Sequence, residues 1–570
     1  MASPPPLGID PLLLLPSEIV LRILDFTPVS GISACTRLSK AWHQFIDETH
    51  QDAIYSALSK TEHLPGLRDP SKFHQQANSL SRCFDGVESW KELCKRQSLL
   101  ARNYQQKRPS TTETVVEKSN DLVWRFRPDF KRRIYVSTSQ RGGLYVVCMD
   151  THQVLWSLDK EQVRSYAHLE YNQIGGRAVA VFDRWGNALE VWRTVQDANV
   201  EACTGKERGI FELVAVLHHD CETRGYQLSH DTLCVVSTEG QGFIYDLSGC
   251  AGPEIIKPPL ITHLTIETDA IGHLDQDADY VMYSLGRKGY HVHSKTTGAF
   301  VGAIEPWKCG VRNLYHIDHP PSEYPNTSLS ARVIPALLGT LGRRHVKQPH
   351  ESSQDRMVPI RVEEGPPVES SSPSAIGARS ELEDDDWGAG MLDGNLMVGI
   401  SRSGRIIIVK DWSACLSHAD GNTAESAAEA LQLNASLILC KPHDDTSNFD
   451  LGGWLCIHNN RILFEIRERI YILSLDENSN LQTGAEPARP SFACSTSSAV
   501  ELAVPVSFMA LYDDCVMHTY TTMSSLISRG GDDDFERARR WFPIKAIRAL
   551  SFAPVDTARQ DQLSGEGQSS

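Results

Sequence analysis

Hydrophobic positions in the first 50 residues recur at helical spacing. In LPSEIVLRILDF (15–26) the polar side chains fall at i, i+4 and i+7 and form one narrow stripe, made of Glu18, Arg22 and Asp25. Apolar residues cover nearly all of the remaining helix surface. The Thr27-Pro28 pair predicts the end of this helix, because a residue before proline is displaced from the α region. After the break, a second helical face is predicted from Leu38, Trp42 and Phe45.

This helical segment displays more apolar surface than its own small core can use. It is about 35 residues long, which is below the ~40 residues that usually fold alone without staples. A helix that is apolar almost all round in so small a subdomain indicates a partner surface. The alternative, that the segment packs on the rest of this chain, stays open at this point.

The same segment, LPSEIVLRILDFTPVSGISACTRLSKAWHQF, resembles an F-box. The family pattern begins with Leu-Pro-x-Glu-aliphatic, continues with Ile-Leu and a proline, and closes with an aliphatic residue and a tryptophan. The matching positions align without a gap over residues 12–50 and are the predicted adaptor-binding residues: Leu15, Pro16, Glu18, Ile19, Ile23, Leu24, Pro28, Ile32, Leu38 and Trp42. Two positions depart from the pattern, since Thr27 stands where the family prefers Leu and Leu38 where it prefers Val.

A helical linker is predicted over residues 51–110. Ser89-Trp90-Lys91-Glu92 is a capping-box signature, in which the Ser89 hydroxyl and the Glu92 carboxylate satisfy first-turn amides. A similar Trp-Lys-x-Leu-Cys helix follows the F-box in relatives that carry WD-type propellers, which strengthens the resemblance. Residues 1–11, which precede the F-box, are predicted to be disordered.

From about residue 115 the pattern changes to short β runs separated by turns. One unit recurs seven times, as a glycine or polar turn followed by a strand of aliphatic and aromatic residues, at 151–158, 186–193, 240–247, 287–294, 403–412, 467–475 and 513–520. A preceding strand is often recognisable, so each unit is at least a hairpin. Seven units at about 45 residues each predict a seven-bladed β-propeller over residues 115–553.

Two segments inside or after the propeller have a different composition. Residues 343–388 are rich in Pro, Ser and Glu and end in an acidic run, so they are predicted to be a disordered insertion, and residues 554–570 a disordered tail. The Trp-Asp dipeptide of strict WD repeats is missing, so the repeats resemble a degenerate WD-like propeller; a quinoprotein-type propeller is the alternative. The predicted fold class is therefore multidomain, α plus all-β.

Charge and cysteine usage narrow the choice of partner and compartment. The 570-residue chain has a formal net charge of −16, which argues against binding to nucleic acid or to an anionic membrane surface. No stretch approaches the ~20 apolar residues of a membrane span. The 14 cysteines include no C-x-x-C pair, so neither a disulfide framework nor a zinc site is expected. A cytoplasmic or nuclear location, or both, is predicted.

Chemistry-bearing motifs are few. The Gly240-x-Gly242 pair lies in a hairpin turn and does not form a phosphate loop. The run from His218 to Cys221 cannot direct all of its side chains at one ion from a strand, and His291 with His293 makes only a pair. No nucleophile motif occurs. The sequence therefore predicts a non-catalytic protein without a cofactor or metal.

The F-box resemblance implies a specific role. Such proteins bind a Skp-type adaptor, and through it a cullin scaffold with a RING protein, while a second domain holds the target protein. Here the blade-connecting loops of the propeller would bind an unknown substrate. If recognition required phosphorylation, arginines such as Arg164, Arg177, Arg287 and Arg312 would have to converge. The alternatives are an F-box scaffold acting outside ubiquitylation and, from another class, a quinoprotein-like propeller enzyme.

Overall fold

The computed structural model of the chain describes most of its length. The described residues are 10–59, 67–105, 111–116, 122–198, 205, 207–252, 254–266, 273–309, 313–317, 362–364, 385–417, 423–442, 452–466, 469–476, 478–481, 491–498, 502, 505–526 and 540–553. Two compact units are present. The helical unit comprises residues 1–112, 513–515 and 551–570, and the propeller unit comprises residues 113–512 and 516–550.

The helical unit contains six α-helices within its described residues. They are α1 Pro11–Leu14, α2 Ser17–Asp25, α3 Val29–Cys35, α4 Lys40–His43, α5 Gln51–Leu58 and α6 Trp90–Gln105. A π-helix, Gln44–Thr49, continues α4 into α5, and a 3-10 helix spans Pro70–Gln75. Its core holds buried side chains from α2, α3, the α4–α5 segment and α6: Val20, Leu24, Ile32, Trp42, Ile46, Ile54, Tyr55 and Cys94.

The prolines and caps set the helix limits much as the sequence predicts. Pro16 and Pro28 stand just before the first residues of α2 and α3, and α2 ends at Asp25, just before the predicted break. The prediction that Leu38 shares a helical face with Trp42 is wrong. Ser39 is the N-cap of α4 and its hydroxyl accepts from the Trp42 amide at 3.2 Å, so Leu38 lies before the helix and is exposed.

The predicted cap of α6 is half confirmed. The Ser89 hydroxyl accepts a hydrogen bond from the Glu92 amide at 3.2 Å. The Glu92 carboxylate does not complete the capping box, because it pairs with Arg96 one turn later at 2.6 Å. The far end of α6 is held by Asn103 and Tyr104, whose side chains bond to and stack on Phe552 of the same unit.

The propeller unit has seven blades of antiparallel strands, which confirms the predicted count. Blades 1 to 3 are β2 Val123–Asp129, β3 Ile134–Ser139, β4 Leu144–Cys148, β5 Val154–Leu158; β6 Leu169–Ile174, β7 Arg177–Arg184, β8 Ala188–Thr194, β9 Phe211–His218; and β10 Thr223–Ser229, β11 Thr232–Ser237, β12 Gln241–Asp246, β13 Leu260–Thr265. Blades 4 and 5 are β14 Leu274–Gln276, β15 Tyr280–Ser284, β16 Tyr290–Ser294, β17 Phe300–Ile304; and β20 Trp387–Asp393, β21 Leu396–Ser401, β22 Arg405–Lys410, β23 Ala435–Pro442. Blades 6 and 7 are β24 Gly452–His458, β25 Arg461–Ile466, β26 Arg469–Ser474, β27 Ser491–Ser495; and β28 Met509–Leu511, β29 Cys515–Leu526, β30 Arg540–Ser551 with β1 Thr112–Val116.

The seventh blade takes its outer strand from the start of the propeller sequence. β1 pairs beside β30, so the blade that ends the ring also holds the strand that precedes blade 1. This pairing joins the start of the propeller sequence to its last blade. Sequence reasoning located the change to β structure near residue 115 but did not foresee that the first strand belongs to the last blade.

The seven predicted units correspond to seven blades but not to equivalent strands. Five of them are the third strand of their blade, whereas 151–158 holds the fourth strand of blade 1 and 513–520 begins the second strand of blade 7. Strands of one blade share the same alternation of apolar and polar residues, so a turn followed by a strand does not reveal its place in the blade.

The predicted disordered insertion at 343–388 is wrong at two points. β19, Val362–Glu364, pairs antiparallel with β18, Asn313–Ile317, and β18 runs parallel to β23, so blade 5 has six strands. The insertion also ends earlier than predicted, because Trp387 is buried in β20 and the Asp385 carboxylate pairs with Arg405 at 2.6 Å. The rest of the insertion lies outside the described residues, as do residues 1–9 and the predicted tail at 554–570. The prediction of disorder over residues 1–11 is wrong at its end, because Asp10 is the N-cap of α1 and Pro11 is its first residue.

The contact between blades 4 and 5 shows how the core constrains the sequence. The fully buried Tyr290 ring lies against the backbone of β20 and β21. A Cβ at Gly390 would approach Tyr290 Cε1 to 2.4 Å, and one at Gly399 would approach its hydroxyl oxygen to 2.2 Å. Glycine is required at both positions because the ring occupies the space of the side chain. A helix, α7 Ala424–Asn434, connects β22 to β23 in blade 5.

Two general features accompany this fold. The described cysteines are free thiols, and most are buried. None of the described helices has the length and apolar character needed to cross a membrane.

Candidate functional site

One face of α2 presents apolar side chains to solvent. Ile19 and Ile23, one turn apart, are 49% and 50% exposed, and Phe26 just past the helix is 77% exposed. The opposite face of the same helix is buried through Val20 and Leu24. Since one side of α2 already fills the core of the helical unit, the exposed side has no structural role within the residues described.

The exposed apolar surface extends beyond α2. Leu13 and Leu14 of α1 are 83% and 61% exposed, Leu15 follows them, and Leu38 stands in the turn before α4. Sequence reasoning assigned Leu15 of the leucine run to the site but did not assign Leu13, Leu14 or Phe26 to it. The signal for them was present, because four consecutive leucines leave a one-turn helix no face on which all can be buried.

The structure divides the ten predicted adaptor-binding residues into two groups. Seven are exposed: Leu15, Pro16, Glu18, Ile19, Ile23, Pro28 and Leu38. Leu24, Ile32 and Trp42 are buried in the helical core, so they lie beneath this surface and do not form it. The sequence pattern does not separate the two groups, because the buried positions that support the surface match the family pattern as well as the exposed positions on it.

Trp42 joins the helices that carry the exposed face. Its indole N–H donates to Asp10 Oδ1 at 3.1 Å, and the same oxygen accepts from the Leu12 amide at 3.0 Å. Asp10 therefore caps α1 and also holds it to the α4 segment.

Arg22 lies 5.1 Å over the Phe26 ring and bonds to Asp25 at 3.3 Å, so it adds a cation at the rim of the exposed apolar surface. We call this surface, formed by residues 13–15, 19, 23, 26 and 38, the apolar face.

The propeller holds a central cavity of about 550 Å³. The first strand of every blade lines it, so the cavity lies on the axis of the propeller. Four of these strands have a register shift near their beginning: β2 after Val123, β10 after Thr223, β20 after Trp387 and β24 after Gly452. Bulges of this kind re-aim side chains and are over-represented beside binding sites.

Cationic side chains converge on this cavity. Arg125 and Arg127 are two residues apart on β2 and both line it, and Arg224 lies at the bulge of β10. Arg127 pairs with Glu170 of β6, and its guanidinium lies 4.0 Å over the Phe508 ring. Arg127 is thus neutralised within the cavity.

Arg125 is held by rings and a carbonyl. Its guanidinium lies 4.3 Å over the Trp454 ring and 5.4 Å from the Trp124 ring, and it donates to the Ser507 carbonyl. Burial lowers its pKa to about 9, which leaves it charged at neutral pH. Within the described part of the chain, neither Arg125 nor the exposed Arg224 takes part in an ion pair.

Two further titratable groups share the cavity wall. Burial raises the pKa of the Asp275 carboxyl to about 7, although its oxygen accepts from the Leu392 amide at 2.7 Å. Burial, with a contribution from the Arg125 charge, lowers the pKa of His273 to about 4, so this imidazole is neutral at pH 7. The cavity therefore contains three arginines against Glu170 and a partly protonated Asp275.

The arginines named from the sequence are not the ones that converge. Arg164 pairs with Asp183 at 3.0 Å and Arg177 with Glu212 at 3.2 Å. Neither these two nor the exposed Arg287 lines the cavity, and Arg312 lies outside the described residues. Arg125 and Arg127 were missed, although their alternation in WRFRPD places both on one face of a strand.

The histidine groups considered as ligands are packed apart. His219 is buried against Phe243 and Tyr245, while His218 and Asp220 are exposed. His293 packs between Tyr283 and Phe300 and bonds to the Gly298 carbonyl at 3.2 Å. No group of three or more His, Cys, Asp or Glu side chains suited to a metal ion occurs among the residues described.

Comparisons with known proteins gave one family match and several similar solved structures. The F-box domain family model matches residues 12–50. Similar solved structures include Sqt1 of Saccharomyces cerevisiae (8% identity, TM-score 0.42, 77% of this chain and 98% of that one), U3-55K (8%, 0.40, 77% and 98%) and the RRP9 WD40 repeats (8%, 0.39, 77% and 97%). No curated protein matches the chain in sequence.

Proposed function

Because residues 12–50 are an F-box domain and a seven-bladed propeller follows, we propose that this chain is the substrate receptor of an SCF-type cullin-RING ubiquitin ligase. The F-box binds a Skp-type adaptor, which connects the chain to the cullin scaffold. The propeller binds the target protein. The receptor makes no bond itself; it raises the effective concentration of target lysines near the activated ubiquitin.

The apolar face is the observation that carries this proposal. Ile19, Ile23 and Phe26 repeat at i, i+4 and i+7 and remain exposed, while the other side of α2 is fully used by the core. An aliphatic side chain gains about 1.5–3 kcal/mol on full burial, so half-exposed Ile23 gains roughly 1 kcal/mol when a partner covers the rest. Several such residues on one face supply enough free energy for a stable complex.

Substitution of Ile23 tests the proposal. In Ile23→Asp the apolar gain is lost and a carboxylate must enter the interface, which costs several kcal/mol more. We expect the adaptor to bind the full-length variant more than tenfold more weakly, since about 1.4 kcal/mol already gives that factor. Ile256→Asp is the matched control, because Ile256 is 51% exposed but lies in the propeller unit. Calorimetric titration of each folded chain with a Skp-type adaptor measures the effect.

Two results would decide against this role. Equal adaptor affinity in wild type and Ile23→Asp would place the adaptor elsewhere or nowhere on the chain. Adaptor binding without cullin in affinity-purified complexes would favour the F-box scaffold acting outside ubiquitylation. We further propose a reducing compartment, the cytoplasm or the nucleus, because the described thiols are free and mostly buried.

A further inference from the structure

We propose that the central cavity binds an acidic peptide segment, with side-chain carboxylates on Arg125 and Arg224 and neighbouring apolar side chains against the apolar residues that line the cavity. This inference rests on the proposed function for the fate of the bound peptide, since a bound target would be delivered to the ligase. The binding itself requires only the propeller.

Uncompensated positive charge is the first argument. The whole chain carries a formal net charge of −16, yet its central cavity contains three arginines. Glu170 forms an ion pair with Arg127, and neither Arg125 nor Arg224 forms an ion pair with a carboxylate among the described residues. Keeping a guanidinium in a partly buried site without a counter-ion costs free energy, so the fold maintains a site whose electrostatics favour an anion.

The backbone provides the second argument. Arg224 occupies the bulge of β10, and Trp454 occupies the bulge of β24, so irregular pairing places both side chains at the cavity. The ladder hydrogen bonds lost at a bulge are a cost that regular strands avoid. Four of the seven first strands carry such a shift near their start, which indicates a shaped entrance to the cavity.

The side chains that line the cavity indicate that the anionic group belongs to a peptide that also has apolar side chains beside it. The ring centroids of Trp454 and Phe508 lie 6.1 Å apart. The Arg125 guanidinium already lies over the Trp454 ring, so little free energy is needed to fix the orientation of Arg125 on binding. Much of the remaining lining is apolar, including Leu169, Leu274, Met391, Leu455, Val506 and Met509. A volume of about 550 Å³ lies within the usual range for ligand cavities, roughly 300–1,000 Å³.

The balance of charge favours a carboxylate over a phosphate. Glu170 and Asp275 line the same cavity, and Asp275 is partly ionised at neutral pH because its pKa is about 7. A phosphomonoester carries a charge of about −1.5 to −2 at pH 7, so the ionised fraction of Asp275 repels it more strongly than it repels a carboxylate. Glu170 is already paired with Arg127, so Arg125 and Arg224 match one or two singly charged carboxylates with less repulsion.

Peptide binding by the full-length chain tests the proposal. The probes are three sets of fluorescent ten-residue peptides with the same randomised apolar and aromatic residues around two central positions, which are both Glu, both Gln or both phosphoserine. We expect the Glu set to be retained at least tenfold better than the Gln set, with binding that weakens as salt increases. Arg224→Glu should lose this preference, and because Arg224 is exposed the variant should fold.

Lys257→Glu is the matched control, because it makes the same change in net charge at an exposed residue that does not line the cavity. It should retain the Glu peptides like wild type. The proposal is overturned if Gln and Glu peptides bind equally, if only phosphoserine peptides bind, if no set is retained, or if both variants behave alike. No adaptor is present, so a failure of peptide binding is distinct from a failure of F-box docking, which the Ile23 titration reports separately.

Discussion

Asp514 organises the loop between the 3-10 helix and α6, and its removal should open that loop. The carboxylate is fully buried in the helical unit and has no cationic partner among the described ion pairs. It accepts hydrogen bonds from the Leu80 amide at 2.8 Å, the Ser81 amide at 2.9 Å, the Ser79 hydroxyl at 2.9 Å and the Ser81 hydroxyl. One side chain thereby satisfies donors from three consecutive residues.

The size of the effect follows from how many of these hydrogen bonds an asparagine side chain can still accept. In Asp514→Asn one carboxylate oxygen becomes an NH₂ group, so either the Leu80 or the Ser81 amide faces a donor, and the other bonds lose their charge assistance. Leaving one buried amide unsatisfied costs about 1–3 kcal/mol, and the weakening of the others brings the total to roughly 2–4 kcal/mol. Because about 1.4 kcal/mol is tenfold, the amides of Leu80 and Ser81 should exchange with solvent roughly 30- to 700-fold faster.

Hydrogen exchange read by mass spectrometry on peptides covering 76–84 measures this effect. Asp513→Asn is the control, because the neighbouring carboxylate accepts from the exposed Asn78 amide at 2.7 Å. This substitution should accelerate exchange less than about tenfold, because a bond in an exposed position contributes little. Equal acceleration in the two variants, or none in Asp514→Asn, would refute the reasoning that this buried carboxylate holds the loop.

Two further predictions concern the propeller. Gly399→Ala should lower the free energy of unfolding by at least about 1–3 kcal/mol, since its methyl would overlap the buried Tyr290 ring. Gly394→Ala is the control: its Cβ position is surrounded by open space, so the variant should lose only the smaller free energy that its positive φ costs. Urea denaturation compares the two variants, and equal losses would contradict the packing argument. Burial lowers the pKa of His518 to about 3, below its unfolded value, so the unfolded chain binds the extra proton and stability falls as pH drops from about 6.5 towards 3. His518→Gln should remove about 1.4 kcal/mol of that loss per pH unit in denaturation series between pH 6.5 and 5, and an unchanged pH dependence in the variant would contradict the argument from burial.

The sequence was most informative about features that depend on residues close to one another in the chain. The apolar stripe of α2, the break at Thr27-Pro28 and the Ser89 cap each depend on residues within one or two helical turns, so they were predictable from the chain alone. The number of blades was predictable for the same reason, because every blade repeats a turn and a strand. Which strand each repeat represents depends on pairing between distant segments, and a local pattern contains no information about it.

The same limit explains the errors at the insertion and in the helical core. Asp385 lies in an acidic run and Trp387 follows it, and composition alone assigned both to the insertion. Their burial depends on Arg405 and on the core of blade 5, which composition does not show. Leu24, Ile32 and Trp42 match the family pattern as closely as Ile19 and Ile23 do. Only the packing of α2 against α5 and α6 reveals which of these residues remain available to a partner.

The central cavity shows what a sequence could reveal once the blade order is known. Arg125 and Arg127 alternate on the first strand of blade 1, and a first strand directs every second side chain at the propeller axis. A pair of arginines at i and i+2 on such a strand therefore places two cations at the axis, in whatever propeller it occurs. Whether they remain available to a ligand depends on the facing strands, because Glu170 of β6 neutralises one of them and no described carboxylate pairs with the other. The proposed peptide binding therefore depends on the cavity arginines that form no ion pair, and not on the number of arginines in the chain.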